Sequence, residues 1–139
     1  MSVKMVLLPV FVQVALTIAL LFWTAMSRTG SLKRGETKMR DIALGQPNWP
    51  DHPTKVANSY NSQFQLPVLF YVVVLWAWLL HQADYVFVVL AWLFVLLRIA
   101  HCYVHVTSNH VPTRFKVFGS GLFVLIIMWA YFAVRILTA

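Results

Sequence analysis

The sequence predicts an all-α integral membrane protein, a four-transmembrane-helix bundle in a single domain over residues 1–139. Three observations carry this. Hydrophobic residues make up 60% of the chain and charged residues only 11%, whereas a soluble domain is nearer half apolar and a quarter charged. The excess apolar surface must face lipid. Long apolar runs recur along the chain, and a hydrocarbon core about 30 Å thick takes roughly 20 residues of helix per crossing. The basic residues collect in two of the connections between runs rather than spreading over all of them, the pattern of cytoplasmic loops.

The first run, Met5 to Met26, reads "MVLLPVFVQVALTIALLFWTAM" and carries no charge. It is longer than a signal-peptide core and ends without an A-x-A site, so it reads as a retained helix over about 5–26. Pro9 falls near its start, where a missing N–H costs little. The segment 27–60 is the only long polar stretch and reads as a loop. Its "GQPNWPDHP" (Gly45 to Pro53) is dense in turn residues, and Trp49 suits the headgroup level. The second helix is expected over about 61–81, with Pro67 a point of bending. "HQAD" (His81 to Asp84) makes a tight connection to a third helix over about 85–108. After "SNHVPT", loop 109–115 leads to a fourth helix over about 116–137. Gly119 and Gly121 in that helix either permit close helix packing or are incidental.

The formal net charge is +7. Its distribution explains it as topology, so no nucleic-acid partner is expected. Arg28, Lys33, Arg34, Lys38, Arg40, Lys55, Arg114 and Lys116 fall on one side of the four-helix plan. Only Lys4 and Arg135 fall on the other. The positive-inside rule then puts loops 27–60 and 109–115 in the cytoplasm and both termini outside. The single cysteine, Cys102, excludes an intrachain disulfide and a cysteine-only metal site. No internal repeat, glycine-rich phosphate loop, G-x-S-x-G or H-E-x-x-H is present.

One stretch breaks the apolar pattern. "LRIAHCYVH" (Leu97 to His105) ends the third run and carries Arg98, His101 and His105 at i, i+3 and i+7. On a helix these share one face. Asn58, Asn61 and Gln65 have the same spacing at the start of the second run. Together the two lines predict a polar pocket at the cytoplasmic end, with Arg114 and Lys116 above it. Spacing alone leaves three readings open. The cations snorkel to headgroups and the histidines satisfy neighbouring helices. Or the group binds a small anionic ligand, since arginine grips carboxylates in a two-pronged fashion and cations favour a thiolate. Or the i, i+4 histidines hold a metal or haem. No carboxylate or cysteine shares their face, and Cys102 points about 100° away from His101. No metal ligand set is therefore expected.

With these residues in place, the chain resembles the MAPEG family, the membrane-associated proteins in eicosanoid and glutathione metabolism, and its bacterial members most. Four pieces carry the resemblance: "RGETKMRDIAL" (Arg34 to Leu44), "NSYNSQFQLPVLFY" (Asn58 to Tyr71), "AWLFVLLRIAH" (Ala91 to His101) and "HVTSNHVPTRFKVF" (His105 to Phe118). The resemblance implies a homotrimer of four-helix protomers in the bacterial inner membrane. It implies glutathione as co-substrate, bound near the cytoplasmic face, and a lipophilic small-molecule substrate arriving from the membrane lipid. Arg98 and His101 match the family's Arg-x-x-His. Arg114 matches the arginine that stabilises the thiolate and is the implied catalytic residue. Asn58 and Asn61 fall in the polar segment before the family's proline, here Pro67. Two positions depart. Gln65 replaces a common glutamate, and His105 replaces the tyrosine of the eicosanoid enzymes. The activity implied is a glutathione-dependent transferase or peroxidase acting on lipophilic electrophiles. The competing expectation is a non-catalytic member of the same fold that binds lipid or another anion.

Overall fold

The computed structural model describes residues 2–139, and these are helical with short connections. Helix α1 spans Val3–Lys33, α2 Asp51–Ser62, α3 Leu66–Leu79, α4 Tyr85–Val106 and α5 Val111–Thr138. A single 3₁₀ turn, Met39–Asp41, interrupts the loop between α1 and α2. Four stretches are long and apolar enough to cross a membrane: α1, the α2–α3 pair, α4 and α5.

Helix α1 opens on Ser2, whose hydroxyl accepts from the Met5 N–H at 3.4 Å. It runs to Lys33, seven residues beyond the Met26 expected from the apolar run. Nothing between Ser27 and Lys33 breaks a helix strongly enough to stop it. What stops it is Gly35, at φ 73. The Glu36 N–H reaches Ser31 O at 3.1 Å and the Gly35 N–H reaches Leu32 O at 3.2 Å. These two bonds satisfy carbonyls that the helix end would otherwise leave unpaired.

The expectation of a loop over 27–60 is corrected further by α2. "DHPTKVANSYNS" looks polar, yet it folds as an amphipathic helix with Pro53, Val56, Ala57, Ser59 and Ser62 buried. The i, i+3, i+4 spacing of its small and apolar residues makes one face that packs on α1. Asp51 in its first turn complements the helix dipole.

The second span is therefore two helices. The chain breaks at Gln63–Gln65, and Pro67 sits in the first turn of α3, where its missing N–H leaves no helical bond unmade. Helix α3 then buries Phe70, Val73, Val74 and Ala77.

His81 turns the chain at φ 57, and Asp84 caps α4 by accepting from the Phe87 N–H at 3.0 Å. The buried face of α4 runs from Phe87, Val88, Ala91, Phe94 and Val95 into Arg98, His101, Cys102 and His105. The polar stripe is the continuation of the stripe that faces the core. Phe70 and Phe94 stack there, with centroids 4.7 Å apart. Helix α5 starts at Val111, not near 116, because Pro112 is preorganised for a first turn. Arg114 and Lys116 accordingly stand in the opening turns of a helix rather than in a loop. Gly121 is buried, and a methyl there would meet Leu97 Cβ at an ordinary 4.0 Å. The glycine pair does not mark a forced close approach.

Candidate functional site

The cation cluster lies where α2, α3, α4 and α5 meet, at the end of the bundle that carries the α1–α2 loop. A cavity of about 250 Å³ opens there. Asn58 and Ser62 of α2, Gln65, His101 and His105 of α4, and Arg114 and Phe118 of α5 line it. Five of the seven residues singled out from sequence share this cavity: Asn58, Gln65, His101, His105 and Arg114. The other two are placed differently.

Arg98 does not snorkel. It is 1% exposed and stands behind the cavity wall. Its Nη2 donates to Ser62 O at 3.1 Å and to Ser62 Oγ at 2.9 Å. Its Nε and Nη1 are buried without a partner. Ser62 Oγ also accepts from Gln63 Nε2 at 3.1 Å and donates to Ser59 O at 2.7 Å. The hydroxyl is thus fully engaged and holds the guanidinium in one place.

Asn61 faces a neighbouring recess of about 310 Å³, shared with Asn58, Arg28, Gln46 and Trp49. Asn58 is the residue common to both recesses. The expected face through Asn58, Asn61 and Gln65 does not exist as one helical stripe. The break after Ser62 leaves Gln65 as the residue before α3, at φ −97 and ψ −105. Its side chain still joins Asn58 at the first cavity because the break reorients it.

Arg114 is half-buried. Its Nη1 donates to Asn109 Oδ1 at 2.8 Å, and Asn109 holds φ 50. A positive-φ asparagine just after α4 thus aims the arginine of α5. In the first turn of α5 the helix dipole disfavours a cation, which sharpens the local excess of positive charge.

His101 and His105 stack with ring centroids 5.4 Å apart at 28°. Both Nδ1 atoms are buried without partners. Phe118 leans on His101 at 5.7 Å. No carboxylate lines the cavity. Among the described residues no three His, Cys, Asp or Glu side chains come together as a metal ligand set.

Three features around the candidate site went unread in the sequence. Gln13, inside the first apolar run, is fully buried and donates from Nε2 to Gln63 Oε1 at 2.8 Å. This extends the Arg98–Ser62–Gln63 chain across to α1. A lone amide inside a span was the available signal, since such residues usually face the protein interior. Arg28 is the second. Its guanidinium lies over the Trp49 ring at 4.9 Å, and its Nε is buried without a partner. Ser62 is the third, and a small polar residue carries no spacing signal.

What these elements define is a four-span helical membrane protein with a cationic, donor-rich cavity at one end of its bundle. The chain matches the model of the MAPEG family over residues 6–134, nearly its whole length, and it belongs to that family. No curated protein and no solved structure matches it.

Proposed function

We propose that the protein is a glutathione-dependent transferase or peroxidase acting on lipophilic electrophiles at the membrane. The family includes glutathione transferases and peroxidases along with other members. One observation carries the reading for this chain. One guanidinium and two imidazoles with unpaired buried nitrogens line the cavity, a second guanidinium with unpaired donors stands just behind its wall, and no carboxylate is among the lining residues. An uncompensated buried charge costs several kcal/mol, and a bound anion removes that cost. Glutathione offers two carboxylates and an ionisable thiol.

Arg114 is the group we assign to the thiolate. It is the lining cation, and it is aimed by Asn109. His101 and His105 offer nitrogens to the ligand, and Asn58, Asn61 and Gln65 offer amides that pair with peptide groups. Arg98 lies behind Ser62 and acts through its field and by fixing the wall. Arg28 extends the positive surface through the recess that Asn58 shares. A thiolate preformed against Arg114 and held beside a membrane-dissolved electrophile gains chiefly from proximity. Loss of a single such stabilising donor typically costs about 10²–10³ in rate.

The same reading places the loop end of the bundle in the cytoplasm and both termini outside, from the distribution of basic residues. It takes the bacterial inner membrane as the site and a homotrimer as the working assembly, both from the family resemblance. The test is titration of the purified protein with glutathione while following ultraviolet thiolate absorbance and melting temperature. A thiolate signal that Arg114→Ala abolishes supports the assignment. No change in either readout at millimolar glutathione overturns it and leaves a non-catalytic member of the family that binds lipid or another anion.

A further inference from the structure

The geometry points to His101 and His105 as one proton-accepting unit, which takes the thiol proton when Arg114 stabilises the thiolate. The inference rests on the glutathione reading above and adds residues that act on the proton rather than on the sulfur.

An arginine that favours a thiolate does not by itself dispose of the proton. Guanidinium has no acceptor lone pair. Asn58, Ser62 and Gln65 are neutral groups that do not take up a proton near neutral pH. Imidazole is the side chain suited to do so. Two imidazoles line this cavity together with Arg114. They lie at i, i+4 on the buried face of α4, stacked at 5.4 Å. Each has a buried Nδ1 with no partner in the protein. A structural histidine in an apolar bundle normally spends that nitrogen on a neighbouring backbone or side chain, and neither does.

The charged and titratable groups around the pair set its capacity. Helix α4 itself contributes Arg98 and Cys102, and α5 contributes Arg114. Lys55 of α2 reaches Thr107 O just beyond the end of α4, at 3.5 Å. Gln65 before α3 is neutral, and no carboxylate lines the cavity. Two imidazolium ions at 5.4 Å, flanked by these cations, would repel strongly. The pair therefore has room for one proton and no more, taken up as one macroscopic titration. That proton is tolerated when the thiolate forms beside it, because the net charge of the site is then unchanged.

The S–H bond breaks, its electron pair stays on sulfur, and the proton moves to an imidazole nitrogen. The thiolate then forms a bond to the electrophilic carbon. The leaving group departs with its electron pair and takes the proton back from the imidazolium.

Proton counting tests this directly. Glutathione is added to purified protein in weak buffer near neutral pH. Thiolate is read by ultraviolet absorbance and released protons by an indicator dye. The wild type should form thiolate with almost no proton released. His101→Gln/His105→Gln should release close to one proton for each thiolate that still forms. One proton released per thiolate in the wild type overturns the inference, and that count needs no variant to fold. Glutathione binding without thiolate overturns it too, while leaving the ligand assignment standing. No binding at all overturns both.

Discussion

The two ends of the α4–α5 pair use the same residue types to opposite effect. At the end away from the loop, Arg135 Nη1 meets Asp84 Oδ2 at 2.9 Å and Arg135 Nε donates to Gln82 Oε1 at 3.0 Å. The Tyr131 hydroxyl donates to the same Asp84 carboxylate. Arg135 and Asp84 are each other's counterpart within the protein. At the loop end, Arg98 and Arg114 find only neutral acceptors, Ser62 and Asn109, and two imidazole nitrogens find none. Arg135 has side-chain exposure of 39%, whereas Arg98 is 1% exposed. The better-buried arginine is the one without an anion. A charge left unpaired where water cannot reach it is a poor structural choice, and the anion we propose as ligand would supply the missing counterpart at the loop end. The Asp84 end is a clamp that closes the bundle.

The contrast is breakable by substitution. The largest effect is expected at the open end, where Arg114→Ala should lower the rate of glutathione transfer by about 10²–10³ without lowering thermal stability. Comparable rates in the two proteins would remove Arg114 from the chemistry. At the closed end the reverse should hold. Asp84→Ala loses the cap on α4 and the acceptor for Tyr131 and Arg135, a loss of about 2 kcal/mol of stability, with glutathione affinity unchanged. Thermal unfolding and a binding titration on the same sample separate the two outcomes, and an affinity loss equal to that of the arginine variant would erase the distinction between the ends.

The clamp should also respond to acid. Burial pushes the Asp84 carboxyl up, but the hydrogen bonds from Tyr131 and the Phe87 N–H, with the Arg135 charge, more than offset this and hold it below the usual carboxylate value. A carboxyl lowered in the folded state contributes stability that is complete above its unfolded value of about 4. That stability is lost as pH falls from there through the native value. Melting temperature should therefore drop across this acid window in the wild type and drop less in Asp84→Asn. Parallel pH profiles would mean the carboxylate contributes nothing.

The smallest effect is expected from Gln65→Glu. A charged acceptor for the glutathione ammonium should tighten binding by about 1 kcal/mol, or roughly fivefold, over the neutral amide. Equal affinities would place the ammonium elsewhere.

The open end was far easier to read from sequence than the closed one. Arg98, His101 and His105 fall at helical spacing within one uninterrupted run, so periodicity alone put them on a common face, and the structure continues that face from the apolar core. Asp84 and Arg135 stand 51 residues apart on separate elements, and no local pattern joins them. Helix α2 was missed for a related reason. Its polar and proline-rich sequence resembles a loop, and its helicity depends on packing Pro53, Val56 and Ala57 against α1, a tertiary effect that propensity does not carry. The same break after Ser62 that divides the second span also divided the expected amide stripe, sending Asn61 to the Arg28 recess and leaving Gln65 at the cavity. Gln13 and Ser62 are single polar residues without spacing. Only the folded chain reveals that they fix Arg98.

If the unpaired arginine serves an anionic ligand, Arg98→Met will separate that role from stability. Glutathione binding and thermal unfolding would be measured side by side on wild type and variant. The wild type should bind at millimolar glutathione or below. The variant should lose that binding while melting no lower than the wild type, because an apolar side chain of similar length replaces a charge that the protein alone does not compensate. A variant that binds glutathione equally well, or a wild type that does not bind it, would contradict that role.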